Sequence, residues 1–262
     1  MNRQAQAAVL LLTGGAILHA GLTDLYLRYV KAGLRPLLLA AGVVLIAAAV
    51  ATVWYERKAT RTAAPIPAPE QGHGDAQGDM HGDTDGRVHG HTHREPRIAW
   101  LLVLPLLALI LVAPPALGSY SALRTGTALQ KQPWGFADLP AGDTVRLSLV
   151  DYAGRAAYDH GRSLDNRRIK TAGFLAVGHD GTPYLVRMAL SCCAADAQPV
   201  KIGLTGHTPP VLRPDTWLEV TGTYTAKQTK DPVNDGIIPF LDVTEAKPVK
   251  APRDPYDESW NG

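Results

Sequence analysis

The chain has 262 residues, with 26 Lys+Arg against 24 Asp+Glu and two cysteines. A net charge of +2 removes the basic surface that a nucleic-acid binder needs, and two cysteines cannot build a disulfide-rich scaffold or a four-cysteine zinc module. Charged residues make up 19%, below the roughly 25% of soluble domains.

The apolar residues are concentrated in three runs. Gln4–Thr23, Pro36–Tyr55 and Ile98–Leu117 each hold 20 residues without Asp, Glu, Lys or Arg. A helix of about 20 residues crosses a hydrocarbon core of about 30 Å and satisfies its own backbone hydrogen bonds in lipid. The expectation is a membrane protein with two transmembrane helices in residues 1–55 (about 4–23 and 36–55) and a third in 98–119. Buried helices of a soluble protein are the alternative. Arg3 before an apolar stretch would also suit a signal peptide, but no clear Ala-x-Ala site follows. Trp54, Tyr55 and Trp100 stand near the helix ends, where aromatic rings favour the membrane interface. His19 stands near the end of the first run, where a polar residue at membrane depth is a candidate functional group; with Asp24 and Arg28 close by, the favoured reading is an interfacial side chain reaching headgroups.

Three spans put the termini on opposite sides. Arg3, Arg57, Lys58, Arg61, Arg94 and Arg97 fall on one side, and Arg28, Lys31, Arg35 and Arg124 on the other. The positive-inside rule then places the 56–97 segment in the cytoplasm and the C-terminal domain outside.

Residues 56–97 are too polar to span and too poor in apolar residues to fold. Pro-rich 63–69 favours extended backbone. Gln71–His93 then carries six glycines and five histidines, namely His73, His81, His89, His91 and His93, interleaved with Asp75, Asp79, Asp83 and Asp85. Imidazole and carboxylate are ligands for zinc, copper and nickel. A Gly-rich backbone can wrap several of them around one ion, but ordering a long loop costs entropy, so binding should be weak and exchangeable. A plain solvated linker is the other reading of this tract.

From Arg124 onward, 16 Lys+Arg balance 16 Asp+Glu. Strand signals recur at Thr144–Asp151, Thr171–Val177, Tyr184–Ser191, Val200–Leu204, Trp217–Tyr224 and Pro239–Thr244. Gly178–Thr182 reads as a hairpin turn and Gly206–Pro210 as a second breaker, while Ala153-Gly154-Arg155 interrupts the pattern before a short helix. Five or six short strands with glycine corners predict a small closed, OB-like β-barrel over residues 120–262, with a sandwich as the alternative. Neutral charge and scattered aromatics argue against nucleic acid on such a barrel.

Both cysteines are adjacent, in Ser191-Cys192-Cys193-Ala194-Ala195-Asp196-Ala197. On a regular strand they point to opposite faces, so they meet one ion only if the chain turns there. Cys192, Cys193 and Asp196 could then hold a soft or borderline cation such as zinc. A strained vicinal disulfide, or one cysteine in the core and one at a turn, are the alternatives.

This motif carries a family resemblance. The chain resembles the bacterial YcgQ-like permease-subunit family of unknown function, whose members look like membrane helices followed by a β domain with a Cys-Cys-x-Ala-Asp-Ala segment. Thr171-Ala172-Gly173-Phe174, Trp217–Thr223 and Pro252-Arg253-Asp254-Pro255-Tyr256 are further points of likeness, and Leu25-Tyr26-Leu27 with Arg35-Pro36 a looser one. The resemblance implies an accessory partner of a larger multi-span permease subunit. The expected function is therefore a non-enzymatic membrane subunit linked to zinc handling, with a metal held at the His-rich tract and at the double cysteine. A membrane-tethered thiol oxidoreductase is one rival, although Cys-x-x-Cys spacing is missing. A β-barrel interaction module with structural cysteines is the other.

Overall fold

Two apolar helices open the chain, α1 (Arg3–Leu22) and α2 (Arg35–Thr62). Within them, Gln4–Leu22 and Ala32–Lys58 are long and apolar enough to cross a membrane. The computed structural model describes residues 3–62, 103–112, 114–129, 131, 135–209, 211 and 213–256. These divide into two compact units, Met1–Leu18 with Ala40–Ala113, and His19–Leu39 with Pro114–Gly262.

In the first unit α1 and α2 cross where both are small. A Cβ on Gly14 would stand 3.0 Å from the Gly42 carbonyl oxygen, and one on Gly42 would stand 2.8 Å from Leu18. Small residues let helix backbones approach in lipid, where packing rather than the hydrophobic effect drives association. Leu11, Val43, Val44 and Val50 remain exposed on these helices, as lipid-facing side chains would be. Of the expected third span, residues 98–102 lie outside the described residues. The described part is α3 (Val103–Leu111), which stops just before Pro114-Pro115.

The second unit is built on a closed barrel. Its strands are β1 (Thr144–Arg146), β2 (Arg168–Val177), β3 (Pro183–Ala189), β4 (Gln198–Gly206), β5 (Trp217–Lys230) and β6 (Ile237–Pro248). The order is β1-β2-β3-β4-β6-β5, and β5 also pairs with β2, which closes five strands. β4 and β6 run parallel, the other barrel neighbours antiparallel, and β1 lies parallel on the outside of β2. This is the OB-like Greek-key barrel expected from the sequence.

Alternation explains the closure. Ile169, Leu175, Leu185, Val200, Ile202, Leu204, Leu218, Val220, Leu241 and Val243 fill one core. Their neighbours Phe174, Ala176, Tyr184, Val186 and Met188 point the other way into a second core, with Ala122 of α4 (Ser119–Arg124) and Tyr256. Side chains two apart share a face of a strand, so β2 and β3 are apolar on both faces. Between them, the Gly178 N–H donates to the Thr182 carbonyl at 2.9 Å, and Gly181 takes φ 80°, forming the expected hairpin turn.

Thr144–Asp151 is not one strand. β1 ends at Arg146 and a helix, α5 (Leu149–Tyr158), begins three residues later. Ser148 is its N-cap, and its hydroxyl accepts from the Asp151 N–H at 3.0 Å. Leu149, Tyr152, Ala153 and Ala156 then fall on one helical face inside the barrel core. Ala153-Gly154-Arg155 therefore lies inside a helix and does not break the pattern. Tyr152 donates its hydroxyl to the Phe240 carbonyl at 2.7 Å, which ties α5 to β6. β5 runs past Tyr224 because its last residues pair with the first of β6, from Gln228 with Pro239 to Lys230 with Ile237, and β6 runs past Thr244 to Pro248, which pairs with Leu218 at the start of β5.

Candidate functional site

The double cysteine sits between β3 and β4. After β3 the chain passes Leu190 and Ser191, Cys193 is extended at φ −152°, and a 3-10 turn covers Ala194–Asp196. That turn swings Asp196 back over the cysteines. Its Oδ1 accepts from the Ser191 N–H at 3.0 Å and its Oδ2 from the Cys192 N–H at 2.8 Å. The carboxylate is thus fixed by two charge-assisted backbone bonds.

The two Sγ atoms and an Asp196 carboxylate oxygen all lie within 4.8 Å of one another. Donors around one tetrahedral zinc ion, at about 2.0–2.3 Å from it, stand roughly 3.5–4 Å apart. The three groups could therefore close on an ion through small side-chain rotations. Cys192 is exposed and Cys193 half-buried, and both are free thiols. The Cys192 thiol donates to the Asp196 carboxylate, and this, with the neighbouring Cys193, pushes its pKa up to about 11. The same contact and the two N–H donors hold Asp196 below the ordinary carboxylate range. The site stores a proton that a cation would displace.

A second chain segment backs the motif. Residues 24–34 join α1 to α2 through two 3-10 turns, Asp24–Arg28 and Ala32–Leu34. Between the turns, Val30 pairs antiparallel with Cys193. The Lys31 N–H donates to the Cys192 carbonyl at 3.1 Å, and the Ala194 N–H to the Tyr29 carbonyl at 2.7 Å. Tyr26 and Leu27 are buried. Tyr256 donates to the Arg28 carbonyl at 3.0 Å and accepts from the Leu117 N–H at 2.9 Å. Arg253 forms a two-pronged ion pair with Asp24.

The structure brings Cys192, Cys193 and Asp196 together. His73, His81, His89, His91 and His93 lie outside the described residues. His19 is exposed at the end of α1, its carbonyl accepting from Thr23. Sequence reasoning missed the 24–34 segment as part of the site. The signal was present in the loop's composition: Leu25, Tyr26, Leu27, Tyr29 and Val30 are more apolar and aromatic side chains than a free loop leaves in water.

No curated protein and no solved structure matches the chain. Residues 154–257, which run from α5 through the whole barrel and the thiol cluster, match the family model of the DUF1980 C-terminal domain, and this stretch is similar to that domain.

Proposed function

We propose that the protein is an accessory membrane subunit of a permease system that handles a transition metal such as zinc. The observation that carries this reading is the Cys192-Cys193-Asp196 cluster, three ligand atoms of the right chemistry within 4.8 Å of one another. Two thiolates and a carboxylate suit zinc and other borderline cations. The larger multi-span permease subunit supplies the transport path, since the described residues hold only two helices long and apolar enough to span. In this reading the His-rich tract is a second, weaker store on the cytoplasmic side, and the barrel lies outside.

The thiol-oxidoreductase reading fits less well. An attacking thiol gains from a lowered pKa, and Cys192 is pushed the other way, to about 11. A cation overcomes that penalty by replacing the proton; a redox reaction gains nothing from it.

The test is metal titration of the full chain in detergent, using cadmium as a spectroscopic stand-in for zinc. Cadmium–thiolate charge-transfer absorption should saturate at one ion per chain. It should vanish in C192S and C193S, and persist when residues 71–93 are deleted. Absence of thiolate absorption in the wild type rejects the metal reading of the cluster.

A further inference from the structure

Cys192 and Cys193 are the only cysteines in the 262 residues. Each is therefore the other's sole intrachain partner for a disulfide, and their Sγ atoms lie within 4.8 Å of each other. Both are free thiols, Cys192 exposed and Cys193 half-buried. An oxidant that reaches Cys192 meets the second thiol one residue away. Tethering at that distance gives Cys193 a far higher effective concentration than a thiol on another molecule.

A bond between the two sulfurs closes a ring through a single peptide. Consecutive Cα atoms stand about 3.8 Å apart, below the roughly 4.4–6.8 Å that most disulfides span. Cys193 is extended, at φ −152°, and the Lys31 N–H holds the Cys192 carbonyl at 3.1 Å. Closure must turn this peptide out of that arrangement. The product is strained, and strained, exposed disulfides are the readily reduced, regulatory ones. This spacing suits a reversible bond rather than a permanent crosslink.

We propose that Cys192 and Cys193 are an oxidation site, which a low-molecular-weight disulfide converts reversibly to a vicinal disulfide. The Cys192 thiolate attacks one sulfur of the reagent RSSR and expels RS−. The Cys193 thiolate then attacks the Cys192 sulfur of this mixed disulfide and expels the second RS−. The two cysteines lose two electrons and two protons, and RSSR gains them and leaves as two RSH. Exposure suits Cys192 to the first attack, and half-burial suits Cys193 to the second. The hydrogen bond from the Cys192 thiol to Asp196 slows the first step, which fits a bond made once per change of conditions rather than in turnover. Sulfurs joined to each other are no longer thiolate ligands, so closure leaves Asp196 alone and releases the ion. That release rests on the metal reading of the cluster; the bond itself does not. In the topology proposed above the barrel lies outside the cytoplasm, where disulfides persist.

The experiment uses the full chain in neutral detergent, freed of metal with a chelator and treated with glutathione disulfide. Intact mass should fall by two hydrogens, both thiols should stop reacting with maleimide, and dithiothreitol should restore mass and labelling. C193S lacks the resolving thiol and should keep one glutathionyl group on Cys192. The oxidised wild type should lose cadmium–thiolate absorption, and reduction should bring it back. Wild-type thiols that stay free, or that end as a stable glutathione adduct, an interchain dimer or a sulfinic acid, overturn the proposal, as does C193S left unmodified. If the mass falls but the reduced chain takes up no cadmium, the oxidation site stands and the metal reading fails. If the reduced chain takes up cadmium and the mass does not fall, the metal reading stands and this proposal fails.

Discussion

Val30 and Cys193 form a single antiparallel bridge, flanked by the Lys31-to-Cys192 and Ala194-to-Tyr29 backbone bonds. One residue of the loop between the two apolar helices thus acts as an edge strand for the thiol motif. Backbone pairing of this kind is rigid for its size, because each bond fixes both direction and register. A cation drawing Cys192, Cys193 and Asp196 together pulls on the backbone that Val30 and Lys31 hold.

Lys31→Pro tests that bridge. Lys31 has φ −59°, which proline adopts without strain, and Val30 before it is extended, as a residue preceding proline prefers. The substitution removes the N–H that bonds the Cys192 carbonyl, a loss of about 0.5–1.5 kcal/mol. Cys192 and Cys193 should react several-fold faster with a bulky maleimide, and amide exchange at Ala194 should rise. Lys31→Ala keeps the N–H but loses the side chain, whose Nζ donates to the Leu190 carbonyl at 3.5 Å, and should label more slowly than Lys31→Pro. Equal labelling of the two variants would show that the bridge does not hold the motif.

The pH dependence of metal binding follows from the Cys192 proton. Its pKa is raised to about 11 from an ordinary 9.0, so the proton is bound throughout the neutral range and must leave when metal enters. Apparent affinity should therefore climb about tenfold per pH unit for each thiol proton released, and fall on acidification. For stability the sign is the reverse. A raised pKa means the folded state holds the proton more tightly, so this contribution is full below 9.0 and fades as pH rises through about 11. Asp196 is depressed, so its contribution is present above the ordinary 3.8 and is lost as pH falls through its lowered value. Asp196→Asn removes the anionic acceptor and should bring the Cys192 titration, followed by thiolate absorbance, down toward the ordinary thiol range. An unchanged midpoint would mean that Asp196 is not the cause of the shift.

The barrel was legible because its strands alternate. Val200–Leu204 carries Val200, Ile202 and Leu204 on the core face and Trp217–Tyr224 carries Leu218, Val220 and Tyr224, and these segments and Thr171–Val177 each lie within an observed strand. The pattern failed at Leu149–Tyr158, where Leu149, Tyr152, Ala153 and Ala156 mark a helical face and Ser148 with Asp151 is a helix-start signal. The plain run Thr-Val-Arg-Leu-Ser-Leu-Val before it read as one strand, since short apolar runs do not distinguish helix from strand. The clustering of Cys192, Cys193 and Asp196 was legible as residue types, and its turn followed from Ala194-Ala195. Its backing by Val30 was not, because pairing between distant segments leaves no local periodicity.

One glycine is a sharp test of barrel closure. Gly222 of β5 stands opposite β6 at a register shift, and a Cβ there would run into the Asp242 carbonyl oxygen. Backbone in the facing strand cannot rotate away as a side chain can. Gly222→Ala should lower stability by about 1–3 kcal/mol, read as a lower unfolding temperature with the helices retained in far-ultraviolet circular dichroism. Wild-type stability would mean that β5 and β6 do not approach so closely.

The last expectation concerns a buried ion pair away from the thiols. Lys201 Nζ donates to Asp231 Oδ2 at 2.8 Å, with side-chain exposures of 3% and 0%. The same Nζ donates to the Thr125 carbonyl at 2.8 Å, and Asp231 accepts the Thr127 and Val233 N–H groups at 2.9 Å each. One charge pair therefore joins β4, the turn after β5 and the segment that follows α4. Removing one partner strands the other charge in a dry site. Asp231→Ala should cost about 3–5 kcal/mol, and Lys201→Met less than that, because Asp231 keeps its two N–H donors. The double variant should recover part of the loss, since no lone charge is left buried. Thermal unfolding of the four proteins gives the coupling directly. Additive losses, with no recovery in the double variant, would show that Lys201 and Asp231 do not act as a pair.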